Sequence, residues 1–184
     1  FGVDTLSRRI YTIKVKDLTT DEMYSDNIDG VNSYATCAAD SNTFFYTGKD
    51  TKTLRSDKIF RHSLGDNQED DDLIYNEEDD TFSTYVYPSK SREYIMIGSS
   101  STMSNEFRFL SSKNPLGSFK LIQKRERGLE YRPYPFGDMF YISTNIDDST
   151  NSKLVRTLIS SPSKSNWKDV ISHRDNVLIL SLIH

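Results

Sequence analysis

The sequence is poor in everything that staples a chain covalently or interrupts it. Its 184 residues include one cysteine, Cys37, with five prolines and eight glycines. A lone cysteine excludes an internal disulfide framework and makes a reducing compartment, the cytoplasm, the simplest setting. No apolar run approaches the roughly 20 residues that a membrane-spanning helix needs, so no membrane segment is expected. A secretory leader is missing too, and the opening at Phe1 instead of Met reads as an excised or processed segment. Sustained apolar spacing at 3.6 residues is absent, which removes the main signal for amphipathic helices. The basic residues are scattered and form no stripe, so nucleic acid is not an expected partner.

What is present favours sheets. Aromatic residues make up 12% of the chain, with eleven Tyr and ten Phe, and suit pleated surfaces better than helices. The stretch 94–110, YIMIGSSSTMSNEFRFL, reads as two strands joined by a loop of turn-forming residues. The same pattern recurs upstream in FFYTG (44–48) and IFRHSLG (59–65), and downstream in MFYIST (139–144) and LVRTLIS (154–160).

A repeat period follows. Strands are expected at 10–18 and 23–28, the latter ending in a turn at Asp29-Gly30. First strands of repeat units then start at residues 34, 83, 131 and 177, separated by 49, 48 and 46. Tight polar links at 40–42, 89–92 and 137–138 lead into second strands. Third strands carry a base at a matched place, Lys14, Arg61, Arg108 and Arg156, spaced 47, 47 and 48. Fourth strands are expected at 73–75, 119–123 and 167–171. Four strands in about 40–50 residues is the pattern of a β-propeller blade. The fold class is therefore all-β, a partial β-propeller. Residues 1–30 supply the outer strands of a truncated blade. Blades follow at 31–80, 81–128 and 129–176, and 177–184 begin a further first strand. Open ends of such an arc would leave sheet edges and apolar faces uncovered, so the isolated fragment is expected to self-associate.

The segments DTLSRRIYTIKVKDL, SDKIFRHSLG, DDLIYNEEDDTF, YIMIGSSSTMSNEFRFL, DMFYISTN and WKDVISHRDNVLI, taken in order, carry a family likeness. They resemble the N-terminal propeller of the oligopeptidase B (protease II) group in the prolyl oligopeptidase family of serine peptidases. Ser7 departs from the family's usual Gly. The resemblance implies a seven-bladed ring, of which this chain is about the middle half. It also implies a separate α/β-hydrolase domain with a Ser-Asp-His triad, cleaving short peptides after Arg or Lys, with the propeller filtering access. The catalytic positions of that family have no counterparts in this chain, so no catalytic, cofactor or metal residue is assigned.

The residues themselves agree. No G-x-S-x-G elbow occurs, and Gly98-Ser99-Ser100-Ser101 lacks its second glycine. His62, His173 and His184 share no metal-ligand spacing and read as structural or surface groups. Cys37 reads as a small core residue. Residues 66–80 hold nine of the 27 acids and no base, leaving 23 bases against 18 acids elsewhere, a net of +5. This acidic run lacks the order of a calcium loop and reads as solvated and mobile, which also argues against Asp70–Asp72 or Glu77–Asp80 as paired glycosidase carboxylates. The repeated bases read as interblade ion pairs or solvated edges before channel-lining groups. The leading function is the non-catalytic propeller of such a peptidase, whose partners are the hydrolase domain and short basic peptides. The alternatives are a stand-alone interaction scaffold and, more remotely, a propeller enzyme in its own right.

Overall fold

Antiparallel pairing between sequence neighbours organises nearly the whole structure. The computed structural model describes residues 1–182 and contains, among them, fourteen β-strands and no α-helix. The first sheet runs in order through β1 (Gly2–Val3), β2 (Tyr11–Lys16), β3 (Met23–Cys37), β4 (Thr43–Lys49), β5 (Ser56–Ser63) and β6 (Asp72–Asn76). The second comprises β7 (Ser83–Pro88), β8 (Tyr94–Ser100), β9 (Asn105–Ser111) and β10 (Lys120–Gln123). The third comprises β11 (Tyr131–Phe136), β12 (Met139–Thr144), β13 (Lys153–Leu158) and β14 (Lys168–Ile171). The protein is all-β, in antiparallel meanders of the kind that make propeller blades.

The turns have local causes. The Asp40 carboxylate accepts hydrogen bonds from the Asn42 and Thr43 amides, closing the β3–β4 link. Between β11 and β12, Gly137 takes a φ of +60°, open to glycine at no steric cost.

The strand expected to end at Asp29-Gly30 does not turn back there. β3 runs unbroken for 15 residues, pairing with β2 up to Val31 and with β4 from Val31 onward. Gly30, at φ +74°, absorbs a bend where the hydrogen bonds change partner. Over its described residues, 177–182, the strand expected at 177–183 is also not formed. Val177 makes a single bridge to Arg174, and 178–182 adopt no strand. Its apolar composition supplies buriable surface, but a strand also needs a neighbour's backbone, and the Ile179 amide donates only to the isolated Asn151 carbonyl. Ile183 and His184 lie outside the described residues.

The cores lie between successive sheets. Phe45 and Ile59 of the first sheet pack with Val86, Ile95, Ile97 and Leu110 of the second. Met96, Phe107, Phe109 and Ile122 of the second meet Tyr131, Phe140, Ile142 and Val155 of the third. Full burial of such a side chain contributes about 1.5–3 kcal/mol relative to exposure. Alternation drives the packing, as in β11, where Tyr131, Pro133 and Pro135 are buried and Arg132 and Phe136 exposed. Both β11 prolines occupy a sheet edge, where a missing amide costs no ladder bond. Gly98 serves a close approach, since a Cβ there would fall 2.5 Å from the Tyr85 ring across the β7–β8 ladder. Among the described residues no helix is long and apolar enough to cross a membrane.

Candidate functional site

Two buried polar clusters stand out, one bridging the first and second sheets and the other within the first. The first surrounds Glu77, which follows β6 and is 4% exposed. Arg125, beyond β10, grips its carboxylate with both terminal nitrogens, at 2.6 and 3.2 Å. Ser99 Oγ donates to Glu77 Oε2 at 2.6 Å and Tyr75 Oη donates at 2.7 Å. Burial pushes the Glu77 carboxyl up, but the Arg125, Ser99 and Tyr75 hydrogen bonds outweigh it and bring it down to about 2. For Arg125, burial works against the charge and the Glu77 carboxylate more than restores it, raising the guanidinium above its ordinary value. Arg125 also lies 3.9 Å from the centre of the Phe82 ring, and Arg108 lies 4.4 Å from that of Tyr75.

The depressed Glu77 carboxyl sets an acid limit. Its contribution to stability is complete above its ordinary value of 4.5 and is lost as pH falls toward about 2. Unfolding measured from pH 6 to pH 2 should show this loss, and replacing Glu77 by Gln should remove that part of the slope. An unchanged slope would mean that the carboxylate is not held by these partners.

The second cluster is centred on His62 in β5, which is fully buried. Its Nδ1 lies 2.6 Å from Asp71 Oδ1 and its Nε2 lies 2.9 Å from Asp26 Oδ1. Tyr46 Oη donates to Asp71 at 2.6 Å, and the Gly65 amide donates to Asp26 at 2.7 Å. Burial raises the Asp26 carboxyl, yet the Gly65 and His62 hydrogen bonds prevail and hold it below the usual carboxylate range. The Tyr46 hydroxyl is raised well above its ordinary value, first by burial and then by the Asp71 carboxylate.

A family model described as "Prolyl oligopeptidase, N-terminal beta-propeller domain" matches residues 1–183. The chain belongs to this family. It is 38% identical to dipeptidyl aminopeptidase BI of Pseudoxanthomonas mexicana over 179 residues, covering 97% of this chain and 25% of that protein. It is 34% identical to protease 2 of Moraxella lacunata over 149 residues, 79% of this chain and 21% of that protein. Oligopeptidase B from Leishmania major superposes with a TM-score of 0.91 at 28% identity, across 98% of this chain and 25% of that one. Oligopeptidase B from Trypanosoma brucei, in a closed form with covalently bound antipain, gives 0.86 at 27% identity, with coverages of 98% and 25%. The chain thus spans about a quarter of the relatives it matches.

Among its described residues, this prolyl oligopeptidase propeller does not bring a histidine and a serine together as a nucleophilic pair. His62 bonds Asp26 and Asp71 in the first sheet. His173, beyond the third, accepts from the Asn151 amide at 3.3 Å. Ser99 sits within a continuous strand and spends its proton on Glu77, so it has neither the elbow nor the base of a nucleophile. No group of three or more metal-ligating side chains occurs among the described residues.

Three expectations change. Cys37 is exposed, not a core residue, because the β3 alternation turns Thr36 and Ala38 inward and Cys37 out. The acidic run is not simply a solvated, mobile loop. It includes β6, and Asp71 and Glu77 are buried anchors of the two clusters. Of the two readings of the matched bases, interblade ion pairs are not made by Arg61, Arg108 or Arg156, while a solvated edge fits Arg156. Arg61 pairs with Asp72 at 2.6 Å and Arg108 with Glu106 at 2.6 Å, each within its own sheet. Their reach across sheets is a hydrogen bond from Arg61 to the Pro115 carbonyl and the stacking of Arg108 on Tyr75. Arg156 is exposed. The Glu77–Arg125 ion pair does cross between sheets, and it spans 48 residues, one repeat period. Opposite charges one period apart were its signal in the sequence.

Proposed function

We propose that this chain is the non-catalytic propeller portion of an oligopeptidase B-like serine peptidase. In this reading a separate α/β-hydrolase domain cleaves short peptides after Arg or Lys, and the propeller restricts entry to it. The observation that carries the reading is the likeness to oligopeptidase B, which extends over nearly the whole chain and accounts for only a quarter of that enzyme's length. A single exposed cysteine suits a cytoplasmic setting. The chain alone should release nothing from a fluorogenic Arg- or Lys-terminated dipeptide, whereas the full-length gene product should hydrolyse it and lose that activity to a serine-directed phosphonate. Hydrolysis by the chain alone would refute the reading. A full-length product with no hydrolase activity would favour an interaction scaffold.

The same reading has a consequence for the isolated chain. Phe1, Leu18 and Tyr34 at one end of the arc are 63%, 90% and 64% exposed, and Leu180 near the other is 80% exposed. Such surfaces are expected to bring copies together. Light scattering should report a mass that rises with concentration. A constant monomer mass over about a tenfold dilution would contradict this.

A further inference from the structure

Between β7 and β11, each an edge strand of its sheet, lies a recess of about 310 Å³. One wall is Tyr87, Pro88 and the turn that begins at Ser89-Lys90, and the other is 132–135. The turn is tied down. Ser89 is 4% exposed, and its amide donates to the Tyr94 carbonyl at 2.8 Å. Its carbonyl accepts from the Arg92 amide at 2.9 Å, and its Oγ accepts from the Tyr94 amide at 3.1 Å. Arg132 stands on an unbroken ladder, opposite Ser143 of β12. Lys90 and Arg132 therefore both project from fixed backbone, which lowers the ordering cost of any contact they make.

Four residues that carry donors line this recess without partners for them. Among the described residues, neither the Lys90 ammonium nor the Arg132 guanidinium has a carboxylate or a hydrogen-bond acceptor, and no Asp or Glu lines the recess. The Tyr87 and Tyr134 hydroxyls are likewise without a hydrogen-bond partner among the described residues. Burial above all pushes the Tyr87 hydroxyl up, against the pull of the Arg132 charge, so it remains a proton donor at neutral pH. Arg156 and Lys168 also line an acid-free recess, but its walls all come from the third sheet and its β13–β14 loop. Here two sheets converge.

Two cations and two phenols suit an anion that accepts several hydrogen bonds at once. The remaining walls are apolar. Pro88, Pro133 and Pro135 present ring carbons and no amide hydrogen, and Leu182 closes one side. A bare inorganic anion would leave these walls facing water, whereas a carboxylate carried on a chain covers them. The volume stands at the small end of ligand pockets, about 300–1,000 Å³, and suits a chain end. The missing proline amides also disfavour pairing of a through-running strand on either edge. We infer that this recess binds the C-terminal carboxylate of a peptide. Lys90 and Arg132 hold the carboxylate, Tyr87 and Tyr134 donate beside them, and the prolines pack against the last side chain.

Calorimetry on the full-length gene product tests this, with acetyl-Ala-Phe-Ala as the probe. The probe has no Arg or Lys, so the cleavage proposed above would not consume it. Its free acid should bind about tenfold more tightly than its C-terminal amide. Lys90→Gln with Arg132→Gln should abolish that preference by weakening the acid alone. Both bases are exposed, so the double variant keeps the fold. Tyr87→Phe should weaken the acid about threefold and leave the amide unchanged. Equal binding of acid and amide, no binding of either, or a preference that survives the double variant would overturn the inference. So would inorganic phosphate that matches the free acid and is lost with the same two bases, since the recess would then take any small anion. Hydrolysis of Arg- or Lys-terminated dipeptides is a separate readout, and its absence would leave the binding result standing.

Discussion

Replacing His62 with Ala should lower the stability of the first sheet by about 3–5 kcal/mol, the range for breaking a buried charge cluster from one side. The imidazole is enclosed by Asp26 and Asp71, both on its own sheet's side of the protein and both almost without solvent contact. Its removal leaves two carboxylates facing a cavity, and Asp26 Oδ2 already has no hydrogen-bond partner. Tyr46 would keep one donor on Asp71, and Gly65 one on Asp26, so the loss is severe without being total. Adding Asp26→Asn and Asp71→Asn to His62→Ala should recover part of it, since the uncompensated charge is then gone. Exchange of the β4 and β5 amides reads both changes. A loss below about 1 kcal/mol would mean that water reaches the cluster and solvates it.

Glu77→Ala should cost a similar amount, about 3–5 kcal/mol, because Arg125 is left partly buried without its bidentate partner. Ser99 and Tyr75 lose their acceptor in the same step. Glu77→Gln keeps the shape and an acceptor oxygen and should cost clearly less. The two variants separate charge from packing. If Ala and Gln cost the same, the carboxylate's charge accounts for the whole loss and its shape adds nothing; if Gln costs nothing, the cluster is held by shape alone.

The parts legible in the sequence were those with local causes. Hairpin links such as Asp40–Thr43 and Gly137 carry their own turn chemistry, and the strands between them pair with their sequence neighbours. The 48-residue spacing exposed the repeat, and with it the all-β propeller architecture. What depended on three-dimensional phase was harder to read. Cys37 points outward because of how β3 continues past the bend at Gly30, and nothing near Cys37 fixes that phase. The apolar run from Val177 promised a strand, but composition does not reveal whether a partner's backbone is at hand. Among the buried polar groups, Glu77 and Arg125 are one repeat apart and could have been paired. Asp26, His62 and Asp71 are separated by 36 and 9 residues, which match no period. The acidic run looked uniform because charge alone does not distinguish Asp71 and Glu77, which face partners, from neighbours that face water.

The most direct measurement is to label the full-length gene product with a fluorophosphonate and map the modified serine. A non-catalytic propeller joined to a separate hydrolase domain predicts one labelled serine outside residues 1–184, with Ser99 untouched beside Glu77. Activity-dependent modification of Ser99, or of any other serine in this chain, would contradict that assignment.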